Sequence, residues 1–155
     1  MNRGEIIELL LHDMRDEHAA IIQYLTHAYA IGECEIACEI GAITRDEMRH
    51  LNWLAVAIVQ LGGQPTLDRG QMRTAGDTVP TWLQNDVLQE KDAINHYRDH
   101  IAQIDDPKIK RLLEHILADE MSHQEKFRDF IDESEDEGLE YIRGKRQDEA
   151  ASVLN

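Results

Sequence analysis

The sequence predicts an all-α fold, a four-helix bundle with a long crossover between helices 2 and 3 and a short C-terminal fifth helix or tail. Three observations predict it. Apolar residues recur every three or four positions along four long stretches, which is the spacing of one helix face. The chain repeats itself at an offset of 73 residues, so that residue 47 falls on residue 120. A segment rich in Gly and Thr, without this spacing, separates the two copies, as in bundles with one crossover.

Length and charge bound the class of protein. A chain of 155 residues is long enough for one domain with its own core. The net charge of −15, from 31 acidic and 16 basic residues, argues against a nucleic-acid partner, because phosphate contacts need a positive surface. Solubility and attraction of cations both stay open as reasons for the charge. No signal-peptide pattern or bilayer-spanning apolar run is present, so we expect a soluble cytoplasmic protein with no membrane partner.

The first helix pair is predicted between residues 3 and 61. Helix 1 is expected from Arg3 to Ala30 and helix 2 from Glu33 to Leu61, with a turn at Gly32 and a stop at Gly62 to Pro65. The apolar stripes of the pair contain Ile7, Leu10, Met14, Ile21, Ala28, Ile36, Ile40, Ile43, Leu54 and Ile58. Cys34 and Cys38 lie four residues apart in helix 2, so a disulfide is not expected, and their role stays open.

The second pair follows the crossover. Helix 3 is expected to begin near Pro80, capped by Thr78 or a neighbour, and the Asp105 to Pro107 segment ends it and opens helix 4, which runs to about Glu133. The stripes contain Leu83, Val87, Ile94, Ile101, Ile104, Ile109, Leu113, Ile116, Phe127 and Ile131. We expect residues 1–137 to form the bundle and residues 138–155 to form a short helix and a polar tail.

Six polar residues stand in these apolar stripes and are the predicted metal ligands. They are Glu17, Glu47, His50, Glu90, Glu120 and His123. Each Glu-x-x-His places a carboxylate and an imidazole one helical turn apart on the same face. Four buried carboxylates need neutralising, and two divalent cations balance them. This is the inward ligand set of dinuclear carboxylate bundles. Oxygen-rich sites with one imidazole per ion favour iron, with manganese as the alternative. In the opposing interpretation, all six leave their stripes and face solvent.

Several segments together resemble the bacterioferritins of the ferritin-like superfamily. These segments are Asp16 to Tyr24, Asp46 to His50, Leu61 to Pro65, Asp119 to His123 and Gly138 to Ile142. The resemblance implies a ferritin-like bundle in which the six ligands form a ferroxidase centre, with Glu47 and Glu120 as bridging carboxylates and Tyr24 beside the metals. It also implies oxidation of Fe(II) by O2 or peroxide, and storage of ferric mineral in a hollow 24-subunit shell.

Met48 and the outer faces of helices 1 and 2 predict an assembly. Met48 holds the place of the methionine that ligates haem in bacterioferritins, so the resemblance implies haem b shared across a dimer two-fold axis; plain interface packing is the alternative. Further apolar residues outside the ligand stripe are Leu11, Ile22, Tyr29, Ala55, Val56 and Val59. They predict a homo-oligomer with a dimer through helices 1 and 2, although a broader core within one chain would also explain them.

A second class of function stays open, a non-storage di-iron or di-manganese oxidoreductase acting on peroxide. It would be rubrerythrin-like or manganese-catalase-like. Rubrerythrins have an extra Glu on helix 3, but Val87 and Ala93 stand three residues before and after Glu90, so this Glu is missing here. Ala42 stands where the bacterioferritin inner-surface iron site has a His. The remaining histidines are expected at the surface or beside the ligands, and they are His12, His18, His27, His96, His100 and His115.

Overall fold

The computed structural model describes residues 1–32 and 34–136, and it confirms the predicted all-α bundle. The four helices are α1 (Arg3–Ile31), α2 (Glu35–Gln60), α3 (Val79–Gln103) and α4 (Pro107–Asp136). α1 packs on α2 and on α3, and α4 packs on α3 and on α2. The predicted short helix at 138–155 lies outside the described residues. No helix in the described ranges combines the length and apolarity needed to span a bilayer.

Helix starts follow the capping residues of the sequence. Asn2 and Glu5 form a capping box at α1, in which the Glu5 amide donates to Asn2 Oδ1 at 3.0 Å and the Asn2 amide donates to Glu5 Oε2 at 2.7 Å. Thr78 caps α3, as predicted, by accepting from the Thr81 amide at 3.3 Å. Pro80 lies in the first turn of α3, where its missing N–H needs no partner. The first turns are therefore fixed locally.

The core consists of two apolar clusters at opposite ends of the bundle. One cluster includes Tyr24, Ile40, Leu83 and Phe127. The other includes Leu10, Leu54, Tyr97, Leu113 and Ile116. At the start of α1 the predicted apolar stripe is displaced by one residue, because Ile6 is buried and the predicted Ile7 is only partly buried. Between the two clusters the interior of the bundle is polar, and the candidate site lies in this middle layer.

The crossover lies over α1 and α3. The Gly70 amide donates to the Arg15 carbonyl at 2.9 Å. The Arg73 amide donates to Gln23 Oε1 at 2.6 Å, and the Arg73 guanidinium donates to Gln89 Oε1 at 3.0 Å. Although it has no regular helix, the crossover is therefore tied to both helices and covers the groove between them.

Candidate metal centre

The structure brings all six predicted ligands together in the middle layer. Each is at most 3% exposed. They form two overlapping groups whose ligand atoms lie within 4.8 Å of one another. The first group is Glu17, Glu47, His50 and Glu120, and the second is Glu47, Glu90, Glu120 and His123. The solvent-facing interpretation is therefore wrong for all six. Each group can hold one ion, and Glu47 and Glu120 belong to both.

The shared carboxylates each direct one oxygen toward each imidazole. His50 Nδ1 lies 2.9 Å from Glu47 Oε2 and 2.8 Å from Glu120 Oε1. His123 Nδ1 lies 2.9 Å from Glu47 Oε1 and 3.8 Å from Glu120 Oε2. The two oxygens of each carboxylate therefore face different sides of the centre. This is the arrangement that a carboxylate bridging two ions requires.

Glu17 and Glu90 each lie on one side only. Glu17 Oε2 is 3.6 Å from His50 Nδ1, and Glu90 Oε1 is 3.9 Å from His123 Nδ1. α1 supplies Glu17 and α3 supplies Glu90, while α2 and α4 supply the two Glu-x-x-His pairs. The chain repeat is thus visible as an approximate two-fold arrangement, with one terminal carboxylate and one imidazole on each side.

The outward nitrogens of both imidazoles contact aspartates. His50 Nε2 lies 3.0 Å from Asp119 Oδ2, and His123 Nε2 lies 3.1 Å from Asp46 Oδ2. Because an ionised carboxylate only accepts, each Nε2 carries the hydrogen and donates. In a neutral ring the Nδ1 lone pair then faces the glutamates, as in a metal-binding imidazole oriented by a carboxylate. Sequence reasoning did not assign this role to Asp46 or Asp119, although they occupy matching positions in the repeat.

Two tyrosines hold the terminal glutamates. Tyr24 donates its hydroxyl hydrogen to Glu90 Oε1 at 2.6 Å, and Tyr97 donates in the same way to Glu17 Oε1. Burial, followed by the charge of the bonded glutamate, raises the pKa of both phenols well above the usual value. Both therefore remain neutral donors. Tyr24 was predicted beside the ligands; Tyr97 was missed as a site residue, although the 73-residue offset pairs it with Tyr24.

Burial and crowding set the proton affinities of the centre. Burial raises the pKa of Glu17 and Glu90 well above the usual range, and the charges of Glu120 and Glu47 raise it further. Burial alone would lower the pKa of His123, but the adjacent carboxylates of Glu120 and Glu47 outweigh it and raise the pKa to about 10. Without cations, the centre therefore offsets its negative charge by retaining protons.

Buried polar atoms without hydrogen-bond partners indicate that the centre suits metal ions. Glu47 Oε1, Glu90 Oε2, Glu120 Oε1 and His123 Nδ1 are buried without a hydrogen-bond partner. Leaving such atoms unpaired is costly. All four are metal-ligand types, namely carboxylate oxygens and an imidazole nitrogen. Two cations between the glutamates would pair these atoms and balance the carboxylate charge.

A cavity of about 410 Å³ reaches the centre from the side covered by the crossover. Its wall includes Glu17, Glu90 and Glu120 of the centre. It also includes His12 and His96, which belong to no predicted site. An ion or a small oxidant entering between α1 and α3 would therefore meet the terminal glutamates directly.

Residues outside the predicted ligand set differ more from expectation. Met48 lies on α2 and is 44% exposed, away from the middle layer. His27 and His100 were grouped with surface or ligand-adjacent histidines, but both are buried and contact aspartates. Cys34 is partly buried and Cys38 is exposed, and both are free thiols, as the predicted absence of a disulfide requires.

Comparison with known proteins places this geometry in a family. The ferritin-like domain matches residues 7–136. A bacterioferritin of Desulfovibrio desulfuricans is 31% identical over 127 residues, covering 78% of this chain and 71% of the relative. A crystal structure of the Desulfovibrio desulfuricans bacterioferritin, described with its diiron site in different catalytic states, has a TM-score of 0.80 at 27% identity, covering 88% of this chain and 85% of that one. The Rhodobacter capsulatus bacterioferritin, described with a metal-free dinuclear site and haem iron, has a TM-score of 0.77 at 25% identity, covering 85% and 86%.

Proposed function

Because this chain belongs to the ferritin-like family and its relatives are bacterioferritins, we propose that it oxidises Fe(II) at a dinuclear centre and stores the iron. One observation carries the proposal. Two groups of four buried ligands share Glu47 and Glu120, so the bundle provides adjacent sites for two ions. A redox reaction that takes one electron from each of two ions needs such a pair.

Each side chain then has a distinct role. Glu17 and His50 would hold one ion, Glu90 and His123 would hold the other, and Glu47 and Glu120 would contribute to both. Asp119 and Asp46 orient the imidazoles through Nε2, and Tyr97 and Tyr24 orient the terminal glutamates. Such supporting hydrogen bonds commonly change metal affinity by about 10- to 100-fold.

The overall oxidation balances with two irons. Two Fe(II) ions lose one electron each, and O2 takes both electrons and two protons to give hydrogen peroxide. With peroxide as the oxidant, the same two electrons and two protons give two water molecules. The ions supply the electrons when bound. The protein keeps the pair adjacent, and Glu17 and Glu90, whose pKa is raised by burial, release any proton they hold as cations replace it.

Iron is the metal that this ligand set favours, and manganese is the alternative. Each side offers carboxylate oxygens and a single imidazole, a hard and oxygen-rich set that suits both metals. Neither cysteine belongs to a metal-binding group among the described residues. Metal analysis of protein purified without added metal separates the two. Predominant manganese would favour the peroxide oxidoreductase instead.

The activity test replaces the bridging carboxylates. Glu47→Gln and Glu120→Gln should each slow Fe(II) oxidation at least about 10-fold, because an amide keeps the shape but loses the charge and one ligand oxygen. Glu114→Gln is the matched control, since Glu114 is an exposed glutamate on α4. Oxidation is followed by Fe(III) absorbance. Full activity in both bridging variants would overturn the proposed ferroxidase.

Storage is tested separately from oxidation. We propose a dimer through α1 and α2 within a 24-subunit shell. Supporting this, Tyr29, Met48, Val56 and Val59 expose apolar side chains on that helix pair, from 44% to 62% exposed. Size-exclusion mass and iron loading per subunit test it. A dimer-sized particle that takes up only about two irons per subunit would leave the non-storage oxidoreductase. The cytoplasmic location stays a prediction.

Haem binding is a finer proposal and rests on Met48. The side chain is half-exposed on α2, where it could meet a second copy across a two-fold axis. Interface packing without haem is the alternative. Haem absorbance in protein expressed with sufficient haem, lost in Met48→Leu while the oligomer persists, would support the first. Equal assembly without any haem signal would support packing.

A further inference from the structure

A second cluster of histidines and aspartates lies between α1 and α3, outside the dinuclear centre. α1 supplies His12, Asp13 and Asp16, and α3 supplies His96 and His100. The five residues form two triads that share His12, one with Asp13 and His100, the other with Asp16 and His96. We propose that this cluster, the α1/α3 histidine site, binds one divalent transition-metal ion.

The distances suit a single ion after small side-chain movements. His100 Nδ1 lies 2.8 Å from Asp13 Oδ1, and His96 Nδ1 lies 2.8 Å from Asp16 Oδ2. His12 Nδ1 lies 4.0 Å from Asp13 Oδ1 and 3.6 Å from Asp16 Oδ2. Ligand atoms around a tetrahedral ion with bonds of about 2.1 Å are about 3.4 Å apart. The observed spacings fall on either side of that value.

Unsatisfied buried atoms point into the inner triad. Asp13 is 1% exposed, and neither of its oxygens has a hydrogen-bond partner. His100 is 7% exposed, and its Nδ1 also lacks one despite its closeness to Asp13. His12 Nδ1 is a fourth such atom. A buried carboxylate without partners is costly, and a cation between these three residues would satisfy all of them.

The chain repeat provides an internal control. The 73-residue offset pairs Asp13 with Asp86 and His100 with His27. Asp86 Oδ1 accepts hydrogen bonds from His27 Nδ1 at 2.7 Å and from Gln23 Nε2 at 2.8 Å. The Asp86 copy is therefore hydrogen-bonded through Oδ1, although Asp86 Oδ2 and His27 Nε2 lack partners. No metal-ligand group involves this copy within residues 1–32 and 34–136.

The Asp13 copy differs from its mate by two extra imidazoles. His96 takes the place of Gln23, and His12 takes the place of Asn85. The amide donor that Gln23 provides in one copy is therefore absent in the other, and metal ligands stand there instead. A purely structural Asp–His pair would need no such exchange. This difference between the copies supports a metal site around Asp13 and a structural network around Asp86.

The ligand types select the metal class. Imidazole nitrogens with carboxylate oxygens suit Zn²⁺, Fe²⁺ or Co²⁺, whereas Mg²⁺ and Ca²⁺ prefer all-oxygen sites. His12, Asp16 and His96 line the same cavity as Glu17. An ion at the α1/α3 histidine site would thus stand beside the route to the dinuclear centre. Its role as an entry site for Fe(II) rests on the proposed function, whereas the site itself does not.

Metal counting tests the site. The full chain should bind about three Co²⁺ ions per subunit, and His12→Gln or His96→Gln should bind about two. His115→Gln is the matched control because His115 is an exposed histidine on α4, and it should keep about three. Glu47→Gln/Glu120→Gln should retain the ion at the α1/α3 histidine site, even if the dinuclear centre is lost. Circular dichroism checks that each variant folds.

Two outcomes would overturn the site: about two ions in the unaltered chain, or an unchanged count in both histidine variants.

Kinetics then test the role of the site in Fe(II) entry. His96→Gln should raise the KM for Fe(II) several-fold with little change in kcat, because supply and not oxidation is impaired. An unchanged KM in a variant that has lost the third ion would overturn the entry role. Absence of Fe(II) oxidation in the unaltered chain would overturn the proposed function and leave the ion count intact.

Discussion

At the scale of single residues, the candidate centre was predictable where the chain repeats a ligand and a stripe places it inside. All six ligands satisfied both conditions. Asp46, Asp119 and Tyr97 were missed although each has a repeat mate. Their roles depend on contacts across helix pairs, such as that of Asp119 with His50, and no spacing within one helix reveals those. Asp13 was missed because a lone aspartate in an amphipathic helix usually faces solvent.

The two tyrosines should have equivalent effects. Tyr24→Phe and Tyr97→Phe each remove the hydroxyl that donates to a terminal glutamate. We expect each to weaken metal binding on its own side by about 10-fold, measured by competition with a chelator of known affinity. Tyr29→Phe is the control, since that tyrosine is 62% exposed. An effect of Tyr24→Phe alone would contradict the equivalence.

Protons and metal ions should stabilise the centre in opposite pH ranges. The pKa of His123 is about 10 in the folded protein, against an ordinary value of 6.5. The folded state binds this proton more tightly, so its contribution is complete below pH 6.5 and is lost as pH rises toward 10. Metal-free protein should therefore unfold at lower urea concentration at about pH 9 than at about pH 6.

The metal-loaded protein is the control for this pH dependence. Protons compete with metal ions for the same ligands, so loaded protein should gain stability over the same interval. Burial and neighbouring charges also raise the pKa of Glu17 and Glu90, which acts in the same direction as His123. Equal urea midpoints at both pH values in metal-free protein would contradict the assignment of retained protons.

At the scale of helices, boundaries were predictable to within a few residues where capping chemistry is explicit. Thr78 and the Gly62–Gly63 stop are such cases. The end of α4 was less clear, because α4 continues to Asp136 through an acidic run that the sequence suggested as a terminus. The contacts of the crossover with α1 and α3 could not be predicted, since hydrogen bonds such as that from Arg73 to Gln23 join residues distant in sequence.

Two glycines, one within α2 and one in the turn that follows it, should respond oppositely to alanine. Gly62 has a φ of 86°, a conformation in which a Cβ costs about 1 to 2 kcal/mol. Gly41 lies within α2, where an added Cβ meets nothing closer than 3.8 Å. Gly62→Ala should therefore destabilise the protein, and Gly41→Ala should stabilise it by about 0.5 to 1 kcal/mol. Urea unfolding measures both. Destabilisation of similar size by both changes would contradict the backbone argument.

At the scale of the whole molecule, the bundle divides its interior by chemistry. Apolar clusters occupy both ends, and the middle layer carries four carboxylates that would oppose folding if they stayed charged and unpaired. The fold therefore depends on the occupants of this layer. The sequence predicted the layer because its polar residues interrupt otherwise apolar stripes at matching positions in both halves.

Removal of metal should accordingly lower the thermal stability of the whole bundle. A ligand at about 100 times its dissociation constant stabilises the folded state by about 2.7 kcal/mol. For a chain of this size that corresponds to a rise in Tm of about 5 to 10 °C. Glu47→Gln/Glu120→Gln should lose most of this rise. Because the substitution also removes carboxylates that contact His50 and His123, the metal-free variant is the baseline for its own rise in Tm. Calorimetry with and without Fe(II) under anaerobic conditions measures both differences. A variant that keeps the full metal-dependent rise would show that the stabilising ions bind elsewhere, and the α1/α3 histidine site would then be the first place to look.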